Sequence, residues 1–264
     1  MRTWTTTVLA LLLACSATAA TNELPKDYTP ATVVASVVRL HTMANKRWPK
    51  HLMKEGSTRN RKEFDVGKYF QVLKHISPPE GQVPDYVYWY SHGNGSPHLY
   101  LRATNAPPFQ TCTEYEDSFG GWEKSSEAED KLFTKLRLDG SPESFFEQFV
   151  FDELAGQFYL AWHANYNDST IVTTTNDMER IIAEIDKDDF GTPLTAEQKS
   201  AARKADLAPR VTWSDEKVAE VSVVLFSKWG GLYRITRRIS RAYPHVVEKT
   251  EIEEVVNYDC GVMF

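Results

Sequence analysis

Cysteine is scarce in this sequence, with three residues among 264. Disulfide-dense scaffolds and cysteine-based zinc modules depend on several closely spaced cysteines, and no Cys-x-x-Cys pair occurs here. With 42% hydrophobic and 25% charged residues, the chain has the composition of a globular protein that buries an ordinary core. These numbers exclude a disordered chain and a small scaffold held together by sulfur.

Other absences narrow the function. The formal net charge is −6, and a protein that binds nucleic acids in general needs a basic excess. No segment after the N-terminus has the roughly eighteen consecutive apolar residues of a membrane span. A Gly-x-Ser-x-Gly elbow, a His-Glu-x-x-His pair and a phosphate loop are all missing. The sequence therefore predicts neither nucleic-acid binding nor a transmembrane segment, and it specifies no activity.

The first 19 residues have the pattern of a signal peptide. Arg2 is the only charged residue among them, the apolar run Val8 to Leu13 is too short to span a bilayer, and Ala17-Thr18-Ala19 suits signal peptidase. Cleavage before Ala20 would release a secreted or periplasmic protein. An alternative uses Leu12-Leu13-Ala14-Cys15 as a lipoprotein box, which would make Cys15 a lipid anchor.

Export leaves two cysteines, Cys112 and Cys260, in an oxidising compartment. We expect these two residues to form a disulfide that ties down the C-terminal tail. The alternative is a pair of buried free thiols.

The clearest structural signal is at the C-terminus, where β-branched and aromatic residues predict three strands. They are Val218 to Phe226, Leu232 to Arg241 and His245 to Tyr258, separated by two short turn segments. Alternation predicts one covered face, formed by Ala219, Val221, Val223, Leu225, Tyr233, Ile235 and Ile239. On the strand surfaces, Arg234, Arg237, Arg238 and Arg241 are expected to face Glu248, Glu251, Glu253 and Glu254 as solvated ion pairs.

Upstream, helical periodicity predicts the cover of that sheet. One helix begins at Thr29-Pro30 and runs to about Lys46, a second occupies Phe64 to Ile76, and the most apolar one runs from Glu143 to about Trp162. The fold class is therefore α+β, with helices packed on a C-terminal antiparallel meander. Residues 20–264 are expected to form a single domain, with the irregular stretch 106–129 as the candidate subdivision.

A second β signal lies in the N-terminal half. Asp85 to Ser91 and Pro97 to Arg102 flank a glycine-containing five-residue loop, as in a hairpin. Left uncovered, its aromatic residues would form a platform for a sugar or a peptide, which makes Tyr88, Tyr90, Tyr100 and Arg102 candidate ligand-binding residues. Cross-strand packing beneath a helix is the alternative explanation of the same pattern.

Basic residues dominate the segment from Lys46 to Lys62. Such a segment on an exported protein could contact anionic lipid or an anionic polymer of the cell envelope. A solvated loop is the favoured explanation, because the segment has no amphipathic period. The basic residues are Lys46, Arg47, Lys50, Lys54, Arg59, Arg61 and Lys62.

The hexapeptide His163 to Asp168 is the candidate catalytic segment. His163 could act as a general base oriented by Asp168, with Tyr166 donating a hydrogen bond to an anion. The same residue types also commonly end a helix.

A calcium site is the one metal hypothesis. Asp186, Asp188 and Glu197 occupy the first, third and twelfth places of an EF-hand-like loop, although Phe190 and Pro193 depart from the pattern. Thr195 and Gln198 also fit a helix capping box without any metal.

Two functional hypotheses follow. The first is a non-catalytic binding or structural protein of the cell envelope or exterior, with a glycan, a peptide or an envelope component as partner. The alternative is a small hydrolase or lyase that uses His163 and Asp168.

Overall fold

The computed structural model describes residues 23–161, 169–188 and 191–262. Within those ranges the α-helices are α1 Pro30–Asn45, α2 Tyr69–Val72, α3 Cys112–Phe119, α4 Trp122–Asp130, α5 Pro142–Leu154, α6 Thr175–Ile185 and α7 Ala196–Lys204. The strands are β1 Ile76–Ser77, β2 Gln82–Ser91, β3 Asn94–Ala103, β4 Arg137–Leu138, β5 Thr170–Val172, β6 Arg210–Trp213, β7 Val218–Ser227, β8 Gly231–Ser240 and β9 Val247–Val256. The predicted α+β class is confirmed.

The C-terminal meander is the centre of a five-stranded antiparallel sheet in the described part of the chain. Strand β8 lies between β7 and β9, and the other edge of β7 pairs with β5 and with β6. Register pairs Val223 with Ile235 and Ala219 with Ile239. This places the predicted apolar face of β7 and β8 in the main hydrophobic cluster, as alternation requires.

Helix α5 packs against β6 and β7 and is buried almost all round. Pro142 at its first position and the hydroxyl of Ser141, which accepts a hydrogen bond from the Ser144 amide, fix where it begins. Six large apolar side chains of α5 are buried, and each stabilises the fold by roughly 1.5–3 kcal/mol. These residues are Phe145, Phe146, Phe149, Val150, Phe151 and Leu154.

The N-terminal hairpin is longer and tighter than the sequence predicts. Strands β2 and β3 pair over ten positions, and the turn contains only His92 and Gly93, both with positive φ. Such a turn matches the twist of the strands, so no five-residue loop is needed. Glycine is required at Gly95, because a Cβ there would lie 2.5 Å from the Tyr88 hydroxyl oxygen.

Two other local predictions are corrected. The expected helix from Phe64 to Ile76 is reduced to a short 3-10 turn and the four residues of α2. The stretch 106–129, predicted to be irregular, contains α3 and most of α4. Thr111 caps α3 by accepting from the Glu114 amide, and Gly120 ends it with a φ of 83°. Both signals are visible in the sequence.

The predicted disulfide is not formed. Cys112 and Cys260 are both free thiols, and they belong to separate hydrophobic clusters. Cys112 lies on α3, where its Sγ donates to the Glu116 carboxylate over 3.3 Å, while Cys260 is buried beside β9. An even count of cysteines carries no information on distance, and a disulfide requires the two Cα atoms to lie within about 7 Å.

Among the described helices, none combines the length and the apolar character that crossing a bilayer would require.

Candidate functional site

The predicted catalytic residues His163, Tyr166 and Asp168 lie outside the described residues. A different serine, histidine and aspartate do meet at the start of α5. There, His75 Nδ1 lies 2.8 Å from Asp139 Oδ2, and the Ser141 hydroxyl donates to Asp139 Oδ1 over 2.6 Å. A serine nucleophile must instead donate to the histidine nitrogen opposite the aspartate. This trio therefore caps a helix and does not activate a hydroxyl.

The predicted aromatic platform is not assembled on one surface. Tyr88 lies on the side of the hairpin that faces the main core, and its hydroxyl donates to the Tyr159 carbonyl over 2.6 Å. Tyr100 lies on the opposite side, against Phe109 and Tyr115. Both Tyr88 and Tyr100 are buried, and Tyr90 is partly buried on the Tyr88 side. Other parts of the protein pack on both faces of the hairpin, so these rings lie inside the protein.

Arg102 has a structural partner in Asp85. Its Nε donates to Asp85 Oδ2 over 2.9 Å, and its Nη1 donates to the Ala106 carbonyl over 3.0 Å. Two further arginines, Arg59 and Arg61, also contact the carboxylate of Asp85. Burial alone would raise the pKa of Asp85, but the hydrogen bond from Arg102 and the charges of Arg59 and Arg61 outweigh burial and hold that pKa below its usual range.

This group, the Asp85 cluster, fastens the basic segment to the hairpin. Arg59 also donates to the Tyr86 carbonyl over 2.7 Å and stacks 3.4 Å above the Tyr86 ring. Arg61 reaches the Phe109 carbonyl over 3.1 Å from a backbone with a φ of 68°. The residues that follow, Lys62 and Glu63, are thereby held in a fixed position.

The calcium candidates have other partners. Both carboxylate oxygens of Asp186 accept from Lys199, at 2.7 and 2.8 Å, and Asp188 accepts from Lys228 over 2.7 Å. Glu197 lies in the first turn of α7, whose capping box of Thr195 and Gln198 is formed. Within the part of the chain that the structure describes, no three acidic, histidine or cysteine side chains are gathered as for a metal.

The site with the clearest chemistry is a cavity between the C-terminal end of α1 and residues 62–68. We call it the cationic cup, and its volume is about 270 Å³. Ala44, Phe64 and Tyr159 in its lining are buried, whereas its four basic side chains, the basic rim, are exposed. Its lining residues are Leu40, Met43, Ala44, Lys46, Arg47, Lys62, Glu63, Phe64, Lys68 and Tyr159.

The charge of the cup is strongly one-sided. Its four basic side chains, Lys46, Arg47, Lys62 and Lys68, are exposed, and none of them forms an ion pair with another described residue. Among the described lining residues one acid is present, Glu63, whose side chain is buried and whose Oε1 accepts from His51 Nε2 over 2.6 Å. An excess of positive charge attracts anions.

The carboxylate of Glu63 stays ionised through hydrogen bonds rather than through the basic rim. Burial would raise its pKa, but the Asn60 amide, which donates over 2.8 Å, and His51 outweigh burial and lower the pKa. Glu63 therefore carries one negative charge against four basic side chains, which leaves the described lining of the cup with an excess of positive charge.

Tyr159 connects the two walls of the cup to the hairpin. Its amide donates to the Asn45 side chain at the end of α1 over 2.9 Å, and its hydroxyl accepts from the Phe64 amide over 3.1 Å. Its carbonyl is the acceptor for Tyr88. Tyr159 has a φ of 53°, a left-handed conformation that costs of order 1 kcal/mol for a non-glycine residue. Backbone strain held by three hydrogen bonds is typical of a position that organises a site.

The chemistry of the cup suits a ligand that carries an anionic group. Exposed ammonium and guanidinium groups suit a phosphate, sulfate or carboxylate, and the apolar lining residues suit a compact ring or chain attached to it. The basic segment was visible in the sequence, but its meeting with Lys68 and Tyr159 depends on long-range contacts that leave no local pattern.

No protein-family model, no curated protein and no solved structure matches the chain.

Proposed function

We propose that this protein is an exported, non-catalytic binding protein whose ligand carries a negative charge and binds in the cationic cup. The observation that carries the proposal is the rim of four basic side chains without ion-pair partners among the described residues, above a partly apolar cavity. An anionic glycan or an anionic component of the cell envelope has the chemistry that this cavity fits.

Two features support a site rather than a solvated loop. Arg59 and Arg61 fasten the segment that carries Lys62 to Asp85, and Tyr159 links this segment to α1. A loop whose only role is to remain solvated would need neither arrangement. Preorganised charge lowers the entropic cost of binding.

A matched pair of probes tests the charge requirement. Glucose phosphate and glucose differ only in the phosphate group, and we expect the phosphate form alone to bind in isothermal titration calorimetry. Its affinity should fall as salt is added, because exposed charges are screened. The proposal would be refuted if glucose and glucose phosphate bound equally. It would also be refuted if neither glucose phosphate nor inorganic phosphate bound.

Matched variants test the location. Lys46→Gln combined with Lys62→Gln should weaken the binding of glucose phosphate about tenfold, if each lost charge contributes about 0.7 kcal/mol. Lys187→Gln combined with Lys217→Gln removes the same charge from exposed positions outside the cup and should leave the affinity unchanged. If both pairs weaken binding equally, net charge rather than the cup is responsible.

The proposed export is tested by the mass of the protein purified from its natural source. A chain that begins at Ala20 supports secretion, and an acylated chain that begins at Cys15 supports the lipid-anchored alternative. A chain that retains residues 1–19 would refute export and leave the cup to be tested as a site inside the cell.

A further inference from the structure

A second cavity lies on the other side of α1. This groove has a volume of about 550 Å³, within the range of roughly 300–1,000 Å³ that proteins use for small ligands. It runs between α1, the C-terminal end of α5, β5 and the start of α6. Its apolar wall is formed by Ala31, Val34, Ala35, Val38, Leu154 and Ile171.

Val38 is 46% exposed on this wall. An apolar side chain left open beside a concave surface is typical of a ligand-binding groove. The body of a ligand in this groove is therefore expected to be apolar.

The charged residues of the groove favour an anion. The charged residues that line it in the described part of the chain are Arg39, Arg180 and Asp177. Asp177 Oδ2 already accepts four hydrogen bonds, from the amides and hydroxyls of Thr173 and Thr174, at 2.9 to 3.1 Å. Arg180 pairs with Glu184 on the exposed side of α6, and Arg39 forms no ion pair with another described residue. Arg39 is therefore available to a carboxylate.

His41 supplies a hydrogen-bond acceptor of fixed orientation. The Tyr69 hydroxyl donates to the Ala155 carbonyl over 2.9 Å, so its oxygen accepts from His41 Nε2, which lies 2.8 Å away. This arrangement places the ring proton of His41 on Nε2 and leaves a lone pair on Nδ1.

Nδ1 of His41 has no hydrogen-bond partner among the described residues, and His41 is one of the residues that line the groove. Burial lowers the pKa of His41 to about 4, so the ring stays neutral and Nδ1 stays an acceptor at neutral pH. A buried histidine of this kind binds a donor group rather than an anion.

We propose that this groove is a second binding site, for an amphipathic carboxylic acid that also carries a hydroxyl or N–H donor. Arg39 binds the carboxylate, the α1 wall packs against the apolar chain, and His41 Nδ1 accepts from the donor group. Hydroxylated fatty acids and N-acyl amino acids belong to this class. The site is separate from the cationic cup and does not depend on it.

Decanoate and hydroxydecanoate are a matched pair of probes that differ by one hydroxyl group. We expect both to bind the full chain in calorimetry, with hydroxydecanoate about fivefold tighter, since one hydrogen bond contributes about 1 kcal/mol. Binding should also shift the His41 Nδ1 resonance in nitrogen NMR, and only with the hydroxylated acid. Equal affinities of the two acids would overturn the role of His41, and binding of neither acid would overturn the site.

Two substitutions of His41 separate ligand binding from support of Tyr69. His41→Gln places an amide N–H near the position of Nε2 and removes the acceptor, so the preference for hydroxydecanoate should disappear. His41→Asn places an amide oxygen near Nδ1 and removes the donor to Tyr69, so the preference should remain although the protein is less stable. The opposite pattern would show that His41 is purely structural.

Arg39→Gln should weaken the binding of both acids several-fold, while Lys62→Gln in the cationic cup should leave both affinities unchanged. If Lys62→Gln weakens the fatty acids as much as Arg39→Gln does, the acids bind in the cup and the second site does not exist. Phosphate-bearing sugars, by contrast, should respond to Lys62→Gln alone, so the two proposals fail independently.

Discussion

Two clusters of arginines and carboxylates differ in which charge is in excess. In the Asp85 cluster, three guanidinium groups surround one buried carboxylate. Beneath the sheet, Arg237 contacts both Asp152 and Glu153 at the end of α5 and lies 4.6 Å from the centre of the Phe149 ring. We call the second group the Arg237 cluster. It corrects the prediction that Arg237 faces the glutamates of β9 in solvent.

The pKa values of the two clusters shift in opposite directions. Burial raises the pKa of both Asp152 and Glu153, and one arginine shared between them does not offset that effect. The pKa of Asp85 is lowered because three arginines do offset burial. Excess cation favours the ionised carboxylate and excess carboxylate disfavours it, although both clusters are built from the same two kinds of group.

The largest expected effect is that of Asp85→Asn. Removing the only carboxylate leaves three guanidinium groups close together, with Arg59 almost fully buried, and should destabilise the protein by about 3–5 kcal/mol. Chemical denaturation at neutral pH measures this loss. Asp206→Asn, which breaks an exposed pair with Arg210, is the control and should cost about 1 kcal/mol or less. Similar losses in both variants would show that the Asp85 cluster is not specially stabilising.

Arg237→Met is expected to have the next largest effect. It leaves two partly buried carboxylates without a cation and should cost about 2 kcal/mol at neutral pH, less than Asp85→Asn because these carboxylates are partly exposed and can take up protons. The loss should shrink as the pH falls toward 5. The triple variant with Asp152→Asn and Glu153→Gln removes the whole cluster and should recover most of the stability. A triple variant as unstable as Arg237→Met would contradict this account.

Ligand binding separates the two clusters by function. The Asp85 cluster holds the segment that carries Lys62, so Asp85→Asn should weaken binding of glucose phosphate several-fold. Arg237→Met should leave that affinity unchanged, although it also destabilises the fold. Both variants are measured at a temperature at which circular dichroism shows them folded. This expectation depends on the proposed function. Equal effects of the two variants on the affinity would show that the Asp85 cluster does not position the cup.

The smallest expected effect concerns Asp152→Asn. A carboxylate with a raised pKa stabilises the fold most when it is protonated, so its contribution falls as pH rises from about 4 through the raised pKa. Removing Asp152 leaves one carboxylate for one arginine. Stability at neutral pH should change by no more than about 1 kcal/mol, and the decline between acidic and neutral pH should become shallower.

Asp85 has the opposite pH dependence. Its lowered pKa stabilises the protein above about pH 4, and that stabilisation is lost as the pH falls through the folded-state pKa. Acid unfolding of the wild type should therefore include a component that Asp85→Asn lacks. A variant with an unchanged acid limb would show that Asp85 keeps its ordinary pKa.

Sequence patterns predict the strands of the meander and the starts of two helices, but the helix expected to run to about Trp162 ends at Leu154. The alternation in β7 and β8 identified the covered face, and Pro30 and Pro142 marked the starts of two helices because proline suits the first helical turn. These predictions are correct because they depend on residues that are close together in the sequence. Short polar helices are harder, and α3 was missed although Thr111, Glu114 and Gly120 carry its capping signals.

Long-range contacts could not be predicted in the same way. Arginine is a residue type that often binds ligands, yet the partner of Arg102 is Asp85, which lies on the neighbouring strand. The cationic cup depends on Tyr159 meeting Asn45 and Phe64, residues about a hundred positions away in the chain. The groove depends on His41 being oriented by Tyr69. Which charges face a cavity is decided by tertiary packing, which local patterns do not encode.

Strand β9 has a consequence for how copies of this protein behave at high concentration. It pairs with β8 along one edge, no other described strand covers its second edge, and Ile252 in its centre is 69% exposed. An open edge of this length is a template on which a strand of another molecule can pair. Glu248, Glu251, Glu253 and Glu254 make such a meeting repulsive at neutral pH. Acidic pH protonates these carboxylates and should remove the repulsion. We therefore expect the protein to aggregate more slowly at neutral than at acidic pH.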